Sequence, residues 1–154
     1  MAAGKPGAKA PKFTIPTTAG AFRLGDQGTE SLVVDFYPRD NTPGCTLEGS
    51  DFRDLAPGFR RARTRILGIS TDTLESHRKF RDKMKFPFEL GSDEDHAVAS
   101  LFGAWKQKSM YGRKMMGIER STFLIDAKGA IRREWRKVRV KGHAAEVLEA
   151  AREL

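Results

Sequence analysis

A continuous apolar strand followed directly by a strong helix start limits the folds open to this chain. The strand is the β-branched and aromatic run LVVDFY at residues 32–37, which Pro38 ends. Such a run is typical of a strand buried on both faces in the middle of a sheet. Thr42 then offers a helix N-cap, and Pro43 fits the first helical position, where its missing N–H costs nothing. The Pro57-Gly58 pair predicts an interruption or an end of this helix.

The same order of elements then occurs a second time. Residues 66–70 predict another buried strand, and Thr71 or Asp72 can cap a helix that reaches about Met84. Strand–helix–strand–helix order implies parallel strands joined by right-handed crossovers.

The two ends of the chain predict antiparallel pieces. Residues 13–15 and 21–24 can form a hairpin, and so can residues 122–125 and 131–135 around the turn at residues 126–129. Asp93 or Asp95 can cap a helix that Gly103 ends, and residues 147–154 predict a C-terminal helix. Together these elements match an α/β, thioredoxin-like fold with a central mixed sheet flanked by helices. We expect a flexible N-terminal arm at residues 1–12 and a single domain over residues 13–154.

Composition excludes several classes of protein. The 154 residues contain one cysteine, so an intramolecular disulfide or a multi-cysteine metal site cannot form. A lone thiol suits a reducing compartment, and we find neither a signal-peptide core nor a membrane span, so we expect a cytoplasmic protein. The net charge of +8 also suits a basic nucleic-acid-binding domain, which is the weaker hypothesis because no recognised motif accompanies it.

The single cysteine, Cys45, lies where a helix favours a reactive thiolate. With Thr42 as N-cap it occupies the third helical position, near unpaired backbone N–H groups and the positive end of the helix dipole. Gly44 leaves the backbone beside the sulfur open to a small ligand. The alternative is an inert, packed thiol, which is the commoner state of a free cysteine.

Three blocks of sequence resemble one family. Residues 38–45 (PRDNTPGC) fit the peroxiredoxin active-site motif PxxxTxxC, and residues 35–48 resemble the bacterioferritin-comigratory protein, or PrxQ, branch. Residues 110–126, with Arg120 in the string GIERSTFLID, and residues 135–143 resemble the same branch in the right order. The resemblance covers nearly all of the chain after the first dozen residues.

The resemblance implies a thiol-dependent peroxidase that acts on hydrogen peroxide and organic hydroperoxides without a cofactor or a metal. Cys45 would be the peroxidatic nucleophile and would become a sulfenic acid. Thr42 would place its hydroxyl beside the sulfur, and Arg120 would stabilise the thiolate and the leaving oxygen. Backbone N–H groups of Gly44 and Cys45 would complete the peroxide-binding cradle.

Pro38 and Glu48 have supporting roles in the same resemblance. Pro38 would shield the site from water, and Glu48 would hold the network in place. Taken one by one, these residues have simpler interpretations: Pro38 ends a strand, Thr42 caps a helix, Glu48 is a surface charge and Arg120 is solvated. Together they fit the family motif, which favours the catalytic interpretation.

One position departs from many relatives. The resolving cysteine expected five residues after Cys45 is replaced by Ser50, so the sulfenic acid must meet an external thiol. That reductant could be thioredoxin, glutaredoxin with glutathione, or another small thiol. The alternative function is a peroxide sensor or holdase that uses Cys45 without sustained turnover. We expect a monomer.

Two further sets of residues are interpreted as structural. The histidines lack metal-ligand spacing and are predicted to be surface or capping residues: His77, His96 and His143. Four large side chains are predicted to pack in or near the core: Trp105, Tyr111, Met115 and Met116.

Overall fold

The computed structural model describes residues 7–154, apart from the side chain of Met110. Strands and helices alternate through the first half, as the apolar runs predict. The strands are β1 (Thr14–Thr17), β2 (Gly20–Arg23), β3 (Ser31–Phe36), β4 (Thr64–Ser70), β5 (Glu89–Ser92), β6 (Trp105–Met110), β7 (Arg113–Ile118), β8 (Ser121–Ile125) and β9 (Ile131–Trp135). The helices are α1 (Pro43–Arg61), α2 (Leu74–Met84), α3 (Ala97–Leu101) and α4 (His143–Arg152).

Seven strands form one mixed sheet, in the order β2-β1-β5-β4-β3-β8-β9. Strands β3, β4 and β5 are parallel, whereas β8 pairs antiparallel with β3, and β9 antiparallel with β8. The predicted parallel core, the N-terminal hairpin and the hairpin after residue 121 are therefore all confirmed. The central position of β3 explains why its sequence is a nearly unbroken apolar run.

Strand β3 separates two hydrophobic clusters because its side chains alternate between the faces of the sheet. Val34 and Phe36 belong to the cluster that includes residues of α3 and β7. Val33 and Tyr37 belong to the other cluster, which includes residues of α1, α2 and α4. Asp35 lies between Val33 and Tyr37 in sequence, so the alternation directs its carboxyl toward the α1 side. That side also holds Cys45.

Helix α1 continues through Pro57, so the predicted interruption there is wrong. Proline removes one backbone hydrogen bond and costs a helix interior about 3 kcal/mol. Phe52 and Phe59 lie on either side of Pro57 and are each 1% exposed. Burying an aromatic side chain stabilises by roughly 1.5–3 kcal/mol, so these two residues together outweigh the lost bond.

Capping details differ slightly from the sequence prediction. Thr73, rather than Thr71 or Asp72, caps α2 by accepting a hydrogen bond from the Ser76 N–H at 3.1 Å. Asp93 does stabilise the start of α3, because its carboxylate accepts from the N–H groups of Val98 and Ala99. Local propensity places both helices, but the N-cap position is Thr73 in α2 and His96, rather than Asp93 or Asp95, in α3.

A two-stranded hairpin of β6 and β7 lies outside the main sheet and was not predicted. Its strands carry polar residues on both faces, so the period-two pattern that reveals a half-buried strand is missing. Tyr111 is 97% exposed at the turn, and Met115 and Met116 are also exposed. The prediction that these three side chains pack in the core is therefore wrong, whereas Trp105 does pack against the core.

Residues 7–10 are paired with another segment of the chain, whereas the sequence predicts a flexible arm over residues 1–12. Backbone hydrogen bonds join Gly7 to Ile131, Ala10 to Gly129, and Ile131 to Ala8. This segment therefore pairs with the start of β9, and residues 1–6 lie outside the described residues. Within residues 7–154, no helix has the length and apolar character needed to cross a bilayer.

Candidate active site

Cys45 lies in the first turn of α1, at the third helical position that the sequence predicts. Thr42 is the N-cap residue with an extended backbone, and Pro43 begins the helix. The side chain of Cys45 is only 3% exposed, so a partner must reach the sulfur through a narrow opening. Amide groups of a first helical turn have no acceptor within the helix, and here they are available to an anion beside the sulfur.

Arg120 contacts the sulfur and one carboxylate at the same time. Its Nη2 donates to Cys45 Sγ at 3.3 Å, and its Nη1 donates to Glu48 Oε1 at 2.5 Å. Burial lowers the pKa of Arg120, but Glu48 and Cys45 outweigh it and raise that pKa above its ordinary value. The guanidinium is therefore a fixed positive charge that the protein aims at the sulfur.

The backbone around Arg120 and Cys45 holds this contact in place. Arg120 directly precedes β8, and its carbonyl accepts the N–H of Val138 at 3.1 Å. Gly44 leaves the space that the guanidinium occupies, because a Cβ there would lie 3.2 Å from Arg120 Nη2. Glycine at position 44 therefore permits the approach of Arg120 as well as that of a ligand.

Glu48 lies one turn after Cys45 and is 2% exposed, which contradicts the simple interpretation of a surface charge. Its Oε1 accepts a hydrogen bond from Arg120, but its buried Oε2 has no hydrogen-bond donor among the described residues. Burial raises the pKa of the Glu48 carboxyl above its ordinary value, although Arg120 opposes that rise.

Asp35 adds a second buried carboxyl that the sequence analysis did not assign to the site. Carboxylate oxygens of Asp35 and Glu48 and a ring nitrogen of His143 lie within 4.8 Å of one another. Burial and the charge of Glu48 raise the pKa of Asp35 well above its ordinary value. A lone acidic residue within an apolar strand run was the signal that could have identified it.

His143 is 6% exposed, so its prediction as a surface or capping residue is wrong. Burial lowers its pKa to about 4, which keeps the imidazole neutral at physiological pH. Thr122 Oγ1 donates to Asp35 Oδ1 at 2.9 Å and lies 2.8 Å from His143 Nε2. Because the hydroxyl has only one proton, the imidazole Nε2–H then donates to Thr122.

Thr42 and Pro38 lie in the loop between β3 and α1. The Thr42 hydroxyl donates to the Arg39 carbonyl at 2.9 Å and makes no capping bond to the helix. Its oxygen lone pairs stay available to accept a hydrogen bond from a ligand. Pro38 is half-buried directly after Tyr37.

A buried network fixes this loop against α2. His77 Nδ1 lies 2.7 Å from Asp40 Oδ2, and its Nε2 donates to the Gly91 carbonyl at 2.8 Å. The Tyr37 hydroxyl donates to the other oxygen of Asp40 at 2.5 Å. His77 is 0% exposed, so its prediction as a surface or capping residue is wrong as well. Its function is to anchor the loop that carries Thr42.

Lys108 on β6 is a further cation near the sulfur that the sequence analysis missed. Burial and then Arg120 lower its pKa from the ordinary value, whereas Cys45 and Glu119 act in the opposite direction. Register places Lys108 opposite Met115 in the β6–β7 hairpin. The hairpin therefore carries a positive charge that is close enough to act on Cys45 and Arg120.

Two groups of side chains have metal-ligand character: Asp35 with Glu48 and His143, and Asp40 with Asp72 and His77. Each group already has other partners. Glu48 Oε1 accepts a hydrogen bond from Arg120. The His143 Nε2 is hydrogen-bonded to Thr122, and the His77 Nε2 donates to the Gly91 carbonyl. These contacts account for the two groups as hydrogen-bond networks.

Comparison with known proteins gives consistent results. The AhpC/TSA family model matches residues 6–134. Peroxiredoxin Bcp of Bacillus subtilis is 44% identical over 149 residues, which cover 96% of this chain and 95% of that protein. Peroxiredoxin Bcp of Xanthomonas campestris pv. campestris is 51% identical over 119 residues, which cover 77% of this chain and 74% of that protein.

Solved structures agree with these relatives and confirm the thioredoxin-like fold. Xanthomonas campestris peroxiredoxin Q has a TM-score of 0.87 at 44% identity, covering 92% of this chain and 90% of its own. A mutant of Xylella fastidiosa PrxQ has a TM-score of 0.88 at 37% identity, covering 97% of this chain and 98% of its own. A further structure concerns the alkyl peroxide reduction activity of the Xanthomonas campestris bacterioferritin comigratory protein. This chain is therefore a peroxiredoxin of the AhpC/TSA family, in the Bcp or PrxQ branch, and it carries a single cysteine.

Proposed function

We propose that this peroxiredoxin is a thiol-dependent peroxidase that reduces hydrogen peroxide and organic hydroperoxides at Cys45. The observation that carries the proposal is the 3.3 Å contact between Arg120 Nη2 and Cys45 Sγ in the first turn of α1. The thiolate attacks one peroxide oxygen, a sulfur–oxygen bond forms and the oxygen–oxygen bond breaks. The sulfur is oxidised to a sulfenic acid, and the leaving hydroxide or alkoxide takes up a proton.

Stabilisation of charge accounts for more of the rate than ionisation of the thiol. An unperturbed cysteine has a pKa of about 8.5, so roughly 3% is thiolate at neutral pH, and complete ionisation gains only about 30-fold. A lower pKa also makes the sulfur a weaker nucleophile. The guanidinium of Arg120 and the first-turn amides supply the remainder by meeting the negative charge that develops on the leaving oxygen.

The other site residues support this step. We assign Thr42 to accept a hydrogen bond from the peroxide, since its hydroxyl proton already goes to the Arg39 carbonyl. Gly44 and Cys45 supply backbone N–H groups. Glu48 holds the guanidinium through Nη1, the nitrogen that does not bond to the sulfur, and half-buried Pro38 limits the access of water.

The sulfenic acid is returned to the thiol by an external thiol in two steps. The first thiolate attacks the sulfur and releases water as a mixed disulfide forms, and a second thiol then releases Cys45. Ser50 stands where many relatives carry a resolving cysteine, and its hydroxyl donates to the Thr46 carbonyl within α1. A hydroxyl cannot form that disulfide, so turnover depends on the outside thiol.

Charge around the site favours an anionic reductant. Residues 105–118 contain four basic side chains and residues 136–142 another four, and neither segment contains an acidic one. The rest of the chain has twenty basic and twenty acidic residues, so the whole net charge of +8 lies in these two segments. One segment is the hairpin that carries Lys108, and the other bonds to the backbone of Arg120 through Val138.

Most of this charge is open to a partner. Six of the eight side chains are exposed and, within residues 7–154, form no ion pair: Lys106, Arg113, Lys114, Lys137, Arg139 and Lys141. Such a surface raises the encounter rate of an anionic thiol and does so less at high salt. Dianionic mercaptosuccinate should therefore reduce the sulfenic acid faster than 2-mercaptoethanol, and cysteamine more slowly. Lys137→Glu should reduce the differences in rate among these three thiols. Lys128→Glu, in the turn beyond β8, should leave them unchanged.

Location and assembly complete the proposal. A peroxidase that depends on an external thiol needs a compartment in which thiols stay reduced, so we place it in the cytoplasm. Cys45, Arg120, Glu48 and Thr42 all come from one chain, which supports a monomeric enzyme. Sedimentation velocity of the reduced and oxidised protein tests this assignment.

Stopped-flow tryptophan fluorescence tests the function itself. Reduced protein is mixed with hydrogen peroxide and, separately, with an organic hydroperoxide, and Cys45→Ser is the control. We expect a fast phase that is linear in peroxide and absent from the variant. A reaction no faster than that of a free thiol would contradict the proposal. Sustained peroxide consumption with added thiol separates a peroxidase from a sensor, which reacts once and stops.

A further inference from the structure

A buried carboxyl pair lies beneath the guanidinium of the proposed peroxidase site. Asp35 on β3 and Glu48 on α1 are 6% and 2% exposed, and their carboxylate oxygens lie within 4.8 Å of each other. Glu48 Oε2 is buried and, in the described part of the chain, receives no hydrogen bond. An ionised oxygen in that position would lose its hydration without compensation.

The balance of charge around the pair requires a proton. Within residues 7–154, Arg120 is the one guanidinium in contact with this group, and it already has Glu48 and Cys45 as partners. Two ionised carboxylates and a thiolate would place three negative charges against two positive ones, Arg120 and, near the sulfur, Lys108, in a site that water scarcely reaches. Two carboxyl groups at this separation bind one proton between them more readily than they remain both ionised.

We propose that Asp35 and Glu48 share one proton in the reduced protein, and that Asp35 is a positioning residue which acts on Cys45 through Glu48 and Arg120. A proton on the Asp35 carboxyl donates to Glu48 Oε2 and gives that oxygen the partner it otherwise lacks. The pair then carries a single negative charge, so the guanidinium keeps positive potential for the sulfur and the leaving oxygen. Loss of the proton adds a second negative charge behind Arg120 and weakens that potential.

The groups that face Asp35 are consistent with this assignment. Thr122 on β8 donates to Asp35 Oδ1, which leaves the other carboxyl oxygen to hold the proton. His143 on α4 stays neutral because burial lowers its pKa to about 4, so it does not titrate in the range where the pair would. Asp51 on α1 raises the pKa of Glu48 and so also favours a protonated pair.

A bound metal ion is a poorer explanation of the same cluster. Arg120 already places a cation on Glu48, and the His143 Nε2 lies 2.8 Å from Thr122 Oγ1. A metal at Asp35, Glu48 and His143 would lie next to the guanidinium of Arg120, and its binding to the His143 Nε2 would displace the contact with Thr122. A proton satisfies Glu48 Oε2 without moving any of them.

Asp35→Asn is the variant that tests the proposal, because its amide N–H donates to Glu48 Oε2 permanently, as a protonated carboxyl would. The pH dependence of peroxide reduction by reduced protein, dialysed against EDTA, is compared from neutral to about pH 10. The shape of the two pH profiles is the test, with each rate taken relative to that of the same protein at neutral pH. As the pair ionises, the wild-type rate should fall by roughly tenfold, the effect of one added buried charge, while the variant keeps its rate.

Infrared spectroscopy detects the proton without relying on peroxidase activity. Wild-type protein should show the C=O stretch of a protonated carboxylic acid at neutral pH, shifted in D2O, which disappears with the same midpoint as the rate declines. Asp35→Asn should lack this band. The matched control Asp93→Asn, which changes another buried carboxyl outside the cluster, should retain both the band and the decline.

Two results would overturn the inference. One is the absence of a protonated carboxylic acid from the wild-type spectrum, a measurement that stands even if Asp35→Asn fails to fold. The other is an Asp35→Asn enzyme that is slower by the same factor at every pH, which would indicate a purely structural role. If the protein shows the band of a protonated carboxylic acid but does not reduce peroxide, the shared proton is supported and the proposed function is wrong.

Discussion

Removing the guanidinium from the site separates ionisation of the thiol from stabilisation of the leaving oxygen. Arg120→Ala deletes the 3.3 Å contact with Cys45 Sγ and the 2.5 Å ion pair with Glu48. The arginine side chain is only 14% exposed, so water does not simply replace it. Loss of thiolate can slow the reaction at neutral pH by no more than about 30-fold. Loss of one preorganised donor to a developing oxyanion costs a further factor of about 100 to 1,000.

We therefore expect Arg120→Ala to slow peroxide reduction by at least about 1,000-fold at neutral pH. Arg120→Lys keeps the charge but cannot bind the sulfur and Glu48 through two separate nitrogens, so its rate should lie between those of wild type and Arg120→Ala. The assay is the fast fluorescence phase measured under pseudo-first-order conditions. Circular dichroism and urea unfolding of each variant control for misfolding. Breaking a buried ion pair costs roughly 3–5 kcal/mol, and uptake of a proton by Glu48 should reduce that cost.

The decisive comparison is made at high pH. If Arg120 acts only by ionising the thiol, a pH high enough to ionise any cysteine restores the rate of Arg120→Ala to that of wild type. Such a recovery would refute the assignment of leaving-oxygen stabilisation to Arg120. A rate at that pH that stays about 100-fold below the neutral-pH rate of wild type agrees with it, because the wild-type rate itself falls as Asp35 and Glu48 ionise.

Three other changes test neighbouring features of the site. Gly44→Ala puts a Cβ 3.2 Å from Arg120 Nη2, so we expect peroxide reduction at least about tenfold slower in stopped-flow traces. Excess peroxide should convert Cys45 to sulfinic acid, and Ser50→Cys should lower that product in intact-mass spectra by forming a disulfide; an unchanged yield would contradict this. Neutral His143 stabilises the fold fully above about pH 6.5, and this stability is lost as the pH falls toward its folded pKa of about 4. Urea unfolding should show a loss of up to about 3 kcal/mol over that window, absent from His143→Asn.

Sequence predicts best where one physical effect dominates. The run at residues 32–37 is buried on both faces, and Thr42 with Pro43 sets the start of α1, so β3, α1 and the position of Cys45 are confirmed. The β6–β7 hairpin escapes prediction because its polar strands lack a buried face to mark them. Pro57 misleads because helix propensity is local, whereas burial of the flanking phenylalanines depends on distant parts of the chain.

In the site, too, residues marked by local sequence signals are predicted, whereas residues brought in by distant parts of the chain are missed. Position in the first helical turn and the family motif predict Cys45, Thr42, Gly44 and Arg120 as site residues, and the structure brings Arg120 into contact with Cys45. Asp35 and His143 join them only through the antiparallel pairing of β3 with β8 and the packing of α4. The spacing of Asp35 and His143 in the sequence does not indicate that they lie close together. The one sequence feature that pointed to Asp35 was its position as an acidic residue within an apolar strand.

Ser50 also determines how long the oxidised protein persists. In an α-helix, residues five apart lie too far from each other for a disulfide unless the helix unwinds, because a bridge needs Cα atoms within about 7 Å. Because the serine at this position bonds to the Thr46 carbonyl and cannot form a disulfide, we expect α1 to keep its first turns throughout the cycle. Decay of the sulfenic acid is then second order, proportional to the thiol concentration outside. The fraction of oxidised protein at any moment thus records the ratio of peroxide to thiol around it.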